Sequence, residues 1–385
     1  MWRSRVMLSY KFRLYPSKTT EHTLNHQLEL CRWLYNRLLS ELTLAKEKGI
    51  KLKRGDTQSL IVYLKKHEKP ELNGVYAKVL QMVNYQLWSN IRALAGLKRN
   101  GRKVGRLRFK GAGWFKTLNY NQSGFALENG RLILSKVGEI PIKLHRKIRG
   151  KVKGVIVKRE RSGKWYAIFQ VEDEPEPLPR TGRAVGIDVG IRHFLTDSEG
   201  RQVENPRFYE RILERIRRRQ RDLSRKKKDS KNREKARVRL AKAYEKLVNQ
   251  RNDFLHKLSR FYVNNYDAIA VEDLNISGMA RNHNLARHIL DASWGKFLHD
   301  LSYKAERAGR TIVKVNPRGT SQEGDKSLDR DYRASWNILQ RGLVGLGRPE
   351  VTPVEMEPLL SVSAQAVIAG QVPSVKQEAP CESWG

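Results

Sequence analysis

Residues 184–195, AVGIDVGIRHFL, read as a short apolar strand ending on an acid, Asp188, then a turn at Gly190 and a second strand. A carboxylate at the end of an apolar run contributes nothing to packing. Two further acids share this character. Glu272 ends the apolar run in AIAVEDL (residues 268–274), and Asp331 opens a helix in LDRDYRASWNIL (residues 328–339), followed by Ala334, Ile338 and Leu339 at helical spacing. Acids delivered by two strand ends and a helix start can converge on hard divalent cations, which prefer oxygen ligands. Such a cluster suits two-metal phosphodiester cleavage. Two neighbouring acids compete for these roles: Asp329 also fits a helix N-cap, and Asp273 reads as a turn residue.

The rest of the chain points to a polyanionic partner. Its 385 residues hold 76 Lys and Arg against 40 Asp and Glu, a formal charge of +36. Self-repulsion on that scale has no use for solubility alone, whereas phosphate neutralisation releases counterions and drives nucleic-acid binding. An anionic membrane is disfavoured, because no long apolar segment is present and MWRSRVMLSYKFRLYP lacks the apolar core of a signal peptide. The two cysteines, Cys31 and Cys381, suggest neither a disulfide framework nor a metal site, and a reducing cytoplasm is expected. No Walker A loop, HExxH or G-x-S-x-G is found.

Along the chain, residues 7–16 alternate as a strand, and Pro16 and Ser17 punctuate entry to a helix. A second helical pattern covers 76–99. The stretch KVGRLRFKGAGWFK (103–116) interleaves cations with Phe109, Trp114 and Phe115, which suits backbone contact plus stacking, or else an amphipathic strand pair. Residues 131–172 read as β-rich, and DEPEPLPRT (173–181) as a linker, which places a domain boundary near 182. Residues 201–260 hold 22 Lys and Arg against 8 Asp and Glu, on two long helical patterns around SRKKKDSK. A solvated hairpin explains the period but not the sign, so a helical insertion gripping a nucleic-acid backbone is expected. A strand over 268–272, a helix over 294–308 and a strand at TIVKVNP follow, and residues 343–385 read as mostly disordered.

Taken in order, GIDVGI (186–191), NQRNDFLHKLS (249–259), VEDLNISGM (271–279), DASWGKFLHDLSYKAERAG (291–309), VNPRGTSQ (315–322) and DRDYRASWNIL (329–339) resemble the TnpB family of bacterial and archaeal transposons. With YKFRLYPS and CRWLYNRLL at the N-terminal end, the resemblance covers about residues 8–342. It implies an α/β multi-domain chain with an RNase H-like (RuvC) nuclease domain at 182–342, carrying a basic helical insertion at about 205–262. A β-barrel-like wedge domain (about 1–16 and 103–181) with an inserted helical recognition domain (about 17–102) would precede it.

The implied activity is RNA-guided DNA cleavage beside a short target-adjacent motif, with a guide RNA from the transposon end and double-stranded DNA as partners. The element's transposase is linked only indirectly, and the location is a prokaryotic cytoplasm near the nucleoid. The family's triad falls on Asp188, Glu272 and Asp331, ligands for two Mg²⁺ ions for which Mn²⁺ can substitute. Candidate nucleic-acid contacts are Lys11, Arg13, Arg106, Arg108, Lys110, Arg217, Arg218, Arg219, Lys226, Lys227 and Lys228.

Two departures stand beside the triad. Most relatives carry a zinc ribbon of two Cys-x-x-Cys pairs before the last acid, but QEGDKSL (322–328) holds no cysteine or histidine, so no zinc is expected. Arg333 stands where the family usually has Asn. A guide-directed DNA binder or transposition regulator with weak or no cleavage is the alternative, resting on the missing ribbon. A strand-transferring transposase fits less well, since its acids run Asp, Asp, Glu. Tyrosine-type chemistry wants His-x-His, which His283 and His288 do not supply.

Overall fold

The computed structural model describes residues 6–121, 123–322, 327–347 and 360–372, in two compact units that divide between Glu174 and Pro175. The first unit runs β1 (Val6–Leu14), α1 (Lys18–Glu47), α2 (Arg54–Tyr63), α3 (Ala77–Arg99), β2 (Thr117–Asn121), β3 (Phe125–Glu128), β4 (Arg131–Leu134), β5 (Gly138–Lys143), β6 (Lys151–Arg159) and β7 (Trp165–Asp173). Its seven strands order as β2-β6-β7-β1-β5-β4-β3, all pairs antiparallel. Ser17 caps α1 by accepting from the Thr20 amide, the signature read from the Pro-Ser pair.

The helices of this unit do not form a core of their own. Leu28, Cys31 and Tyr35 of α1 belong to one continuous core with Leu118, Tyr120 and Leu134 of the sheet. Tyr76 stacks on Tyr120, and Gln27 Nε2 donates to the carbonyls of Gly74 and Lys136. The helices of 17–102 share this core with the sheet, α1 and α2 packing on α3 and α3 packing on β2. Residues 102–116 form no strand pair. Asn36 holds this segment by exchanging hydrogen bonds with the backbone N–H and C=O of Lys110, at 2.8 and 3.0 Å.

The second unit runs β8 (Ala184–Asp188), β9 (His193–Asp197), β10 (Arg201–Glu204), α4 (Phe208–Ser224), α5 (Lys231–Asn265), β11 (Ala268–Glu272), α6 (Ile276–Met279), α7 (Ala286–Ala292), α8 (Trp294–Ala308), β12 (Thr311–Val315), α9 (Arg330–Gly345), β13 (Leu360–Val362) and α10 (Ala364–Ala369). The sheet order is β12-β11-β8-β9-β10-β13. β8, β9 and β10 meander antiparallel, while β11 and β12 lie parallel to β8. Parallel neighbours need a long crossover, which the helical segment between β10 and β11 supplies. Asp291, buried at the end of α7, accepts from the amides of Tyr209 and Glu210 and from Arg251, fixing the start of α4 against α5.

Two boundaries differ from the sequence reading. The Pro-rich stretch after Glu174 belongs to the second unit rather than linking two bodies: the Leu178 amide donates to Ala308 O, Arg310 donates to Pro179 O, and Asp267 accepts from the amides of Thr181 and Gly182. The expectation that residues 343–385 are mostly disordered does not hold for the described part of that range. Residues 343–345 finish α9, and β13 pairs parallel to β10 while Val362, Ala364 and Val367 are buried in the unit's core. Residues 348–359 and 373–385 lie outside the described residues.

Candidate active site

Three elements bring the acids together. β8 and β11 are adjacent parallel strands, so Asp188 and Glu272 emerge at the same edge of the sheet. α9 lies across these strands, burying Ala334, Ile338, Leu339 and Leu343, and its first turn holds Asp331. The approach is unusually close. A Cβ on Gly186 would sit 2.1 Å from Ser335 O, and one on Gly342 would sit 2.6 Å from Ala270 Cβ. Glycine in the GID triplet is thus what lets α9 reach the strand that carries Asp188.

Electrostatics report the same convergence. Burial first, then the charges of Glu272 and Asp331, push the Asp188 carboxyl up to about 7, against a smaller opposing pull from Arg330. Glu272 is raised by burial, opposed by a hydrogen bond from Thr320 and the charge of Arg341. That bond is short: Thr320 Oγ1 donates to Glu272 Oε1 at 2.6 Å. Asp188 therefore lies in a field of like charge that bound cations would relieve. Among the described residues no three His, Cys, Asp or Glu side chains close into a metal cage. Oxygen donors of this kind are the ligand type Mg²⁺ takes, with water and substrate phosphate oxygens filling the rest of its shell.

The neighbouring acids have other partners. Asp329 is the N-cap of α9, with Oδ1 accepting from the amides of Asp331 and Tyr332. Asp273 is paired with Lys314 Nζ at 3.0 Å. Asp197, beside Ile187 in the β8–β9 register, is fully buried and held by Arg201 at 2.7 Å and the Tyr262 hydroxyl at 2.9 Å. Asp329 and Asp197 serve the fold.

The candidate nucleic-acid contacts are scattered differently. Lys11 pairs with Glu160 at 2.9 Å, and Arg13 donates to Trp165 O at 2.8 Å, so both are engaged within the first unit's sheet. Arg106 and Arg108 are exposed, and Lys110 lies over the Tyr35 ring. Arg217, Arg218, Lys226, Lys227 and Lys228 are exposed on or after α4, whereas Arg219 turns toward α5. Arg219 and Lys226 line a cavity of about 410 Å³ between the helices, with Lys235 and Arg239 opposite. A second cavity of about 190 Å³ continues it with Arg215, Lys242 and Lys246. These last five cations were not singled out by sequence reasoning. Their signal is the spacing 235, 239, 242 and 246, one face of α5, with 215 and 219 on α4.

Family models match three stretches: one described as "Probable transposase" over residues 168–283, a "Helix-turn-helix domain" over 1–51, and a "Cas12f1-like, TNB domain" over 294–326. Within 1–51 the described residues form one strand and one uninterrupted helix. A Streptomyces pristinaespiralis protein named "Putative RNA-guided DNA endonuclease" is 30% identical over 367 residues, 88% of this chain and 90% of that protein. "Putative RNA-guided DNA endonuclease InsQ" of Escherichia coli strain K12 is 29% identical over 333 residues, 82% of this chain and 81% of that one. Among solved structures, the "Cryo-EM structure of the Cas12f1-sgRNA-target DNA complex" matches with a TM-score of 0.51 at 13% identity, covering 87% of this chain and 98% of that one. That likeness speaks for the fold. Extended identity to the Streptomyces protein, together with the ordered motifs, shows that the chain belongs to the TnpB family of transposon-encoded proteins, in a form without the usual zinc ribbon.

Proposed function

We propose that this chain is an RNA-guided DNA endonuclease whose second unit is a RuvC-type, RNase H-like nuclease domain. The observation that bears most weight is the convergence of Asp188, Glu272 and Asp331 from β8, β11 and α9, strong enough that both other acids raise the Asp188 pKa. The sheet supports it: three antiparallel strands with the central acid on the first, then two parallel strands, is the RNase H-like arrangement. On this reading the first unit combines the wedge and recognition roles, and the α4–α5 hairpin is the basic insertion.

Asp188, Glu272 and Asp331 would hold two Mg²⁺ ions. When bound, these supply an activated water and neutralise charge on the leaving 3′ oxygen. The remaining work falls to the chain itself. Thr320 orients Glu272, Asp329 fixes the helix entrance that presents Asp331, and Arg330 places positive charge near Asp188. The cations between α4 and α5 would take up backbone phosphates, while base pairing to the guide would supply sequence specificity.

The test is to express the protein with its element end, sequence the co-purified RNA, and incubate the complex with a plasmid library of randomised flanks. A discrete RNA and Mg²⁺-dependent cuts beside one flanking motif are expected. A discrete RNA with binding but no cuts would move the assignment to a guided binder, and no defined RNA would remove both.

A further inference from the structure

The short connection between β12 and α9 raises a physical question. A zinc ribbon folds its own loop through metal–ligand bonds. Here residues 316–322 contain no cysteine or histidine, yet Thr320 is only 3% exposed and lies on Glu272. Three side chains of α9, at successive four-residue steps on one helix face, account for the order. Arg333 Nη2 donates to Ser321 O at 3.0 Å, and Asn337 Nδ2 donates to Thr320 O at 2.8 Å. Arg341 Nη1 donates to Asn316 O at 2.9 Å and to Arg318 O at 2.8 Å.

We propose that Arg333, Asn337 and Arg341 replace the missing ribbon as the anchor of the 316–322 loop, and that the anchored loop makes Thr320 a positioning residue for Glu272. This rests on the nuclease reading for its catalytic meaning, though not for the anchoring itself. Arg333, the residue that departs from the family pattern, is the one that reaches closest to where a ribbon would begin. A guanidinium reaches a backbone carbonyl that the shorter Asn side chain would leave to other partners. The Thr320 hydroxyl has one proton, and Pro317 O at 3.1 Å competes for it. The carboxylate at 2.6 Å makes the shorter, charge-assisted bond and fixes one oxygen of Glu272.

Amide hydrogen exchange on the metal-free, full-length protein tests the anchor. Arg333→Ala should speed exchange at residues 316–322 by about tenfold, with β8 and α8 unchanged and Arg333→Lys intermediate. Unchanged exchange in the loop overturns the anchor. If Arg333→Ala unfolds the unit, Arg333→Lys gives the same readout. For positioning, Mn²⁺ binding is followed by electron paramagnetic resonance in wild type, Thr320→Val and Thr320→Ser. Loss of the hydroxyl should weaken binding roughly 10–100-fold, the range for residues that orient metal ligands, and Ser should restore it. Equal affinity in all three overturns the positioning role. A wild type with a protected loop but no Mn²⁺ binding would instead sink the nuclease reading and remove the catalytic meaning of Thr320 with it.

Discussion

Replacing Gly186 with Ala puts the α9–β8 contact under direct strain. The new methyl would lie 2.1 Å from Ser335 O, 2.6 Å from Leu339 N and 2.9 Å from Leu339 Cβ. Two of these atoms are backbone of α9, so no rotamer change relieves the clash. Restoring ordinary contact, roughly 3.5 Å, to the nearest atom requires the helix and strand to separate by about 1.4 Å. Overpacking of this kind costs about 1–3 kcal/mol, which for a unit of this size lowers Tm by roughly 2–12 °C. The functional effect should be larger in proportion, because the two surfaces forced apart carry Asp188 and Asp331. A displacement of about 1 Å at a reacting centre can cost on the order of 10²-fold in rate. Gly295→Ala is the control: its Cβ, in the first turn of α8, meets only Ile276 Cδ1 at 3.7 Å, so stability should hold or rise by less than the roughly 1 kcal/mol of a helix-interior site. Thermal unfolding and guided cleavage of both variants are the assays. A Gly186→Ala protein with wild-type Tm and wild-type cleavage would refute the close-approach argument.

Three further outcomes are expected. Asp329→Ala should lose about 1 kcal/mol of helix capping and slow cleavage, while Asp331→Ala should abolish it; equal losses in the two would show that capping does not explain Asp329. Lys304, buried and donating to His256 O and Ser259 Oγ, has its pKa lowered from 10.5 to about 8, chiefly by burial. The unfolded chain then binds the extra proton between pH 8 and 10.5, so stability should rise with pH across that window, and Lys304→Met should flatten the rise in a Tm–pH series. Arg239→Glu with Lys242→Glu, on the basic face of α5, should weaken RNA binding and reduce the salt slope of log K by about 1 for each phosphate no longer neutralised; an unchanged slope would show that the groove holds no backbone.

The elements that position the acids were legible because each combines an apolar run with a misplaced charge. Asp188 and Glu272 end strands whose preceding three or four residues are buried, and Asp331 precedes an apolar stripe at helical spacing. What escaped detection depends on partners distant in sequence. Thr320 meets Glu272 across 48 residues, and nothing local marks that hydroxyl. β13 is three residues long and exists only because β10 offers an edge, so its composition reads as a tail. Consecutive cations such as Arg217–Arg219 attract attention by run length, yet successive helix positions point about 100° apart and cannot share a face. The periodic set on α5 lines the groove together with Arg215 and Arg219 of α4 and with Lys226, so of the Arg217–Arg219 run only Arg219 reaches it.

The most direct measurement compares cleavage of a matched target by wild-type and Asp188→Ala complexes carrying the same co-purified RNA, with Mg²⁺ or with EDTA. The account predicts cutting by wild type in Mg²⁺ alone, and background levels for Asp188→Ala with its RNA fully retained. Cutting by Asp188→Ala at the wild-type rate, or by wild type in EDTA, would contradict it.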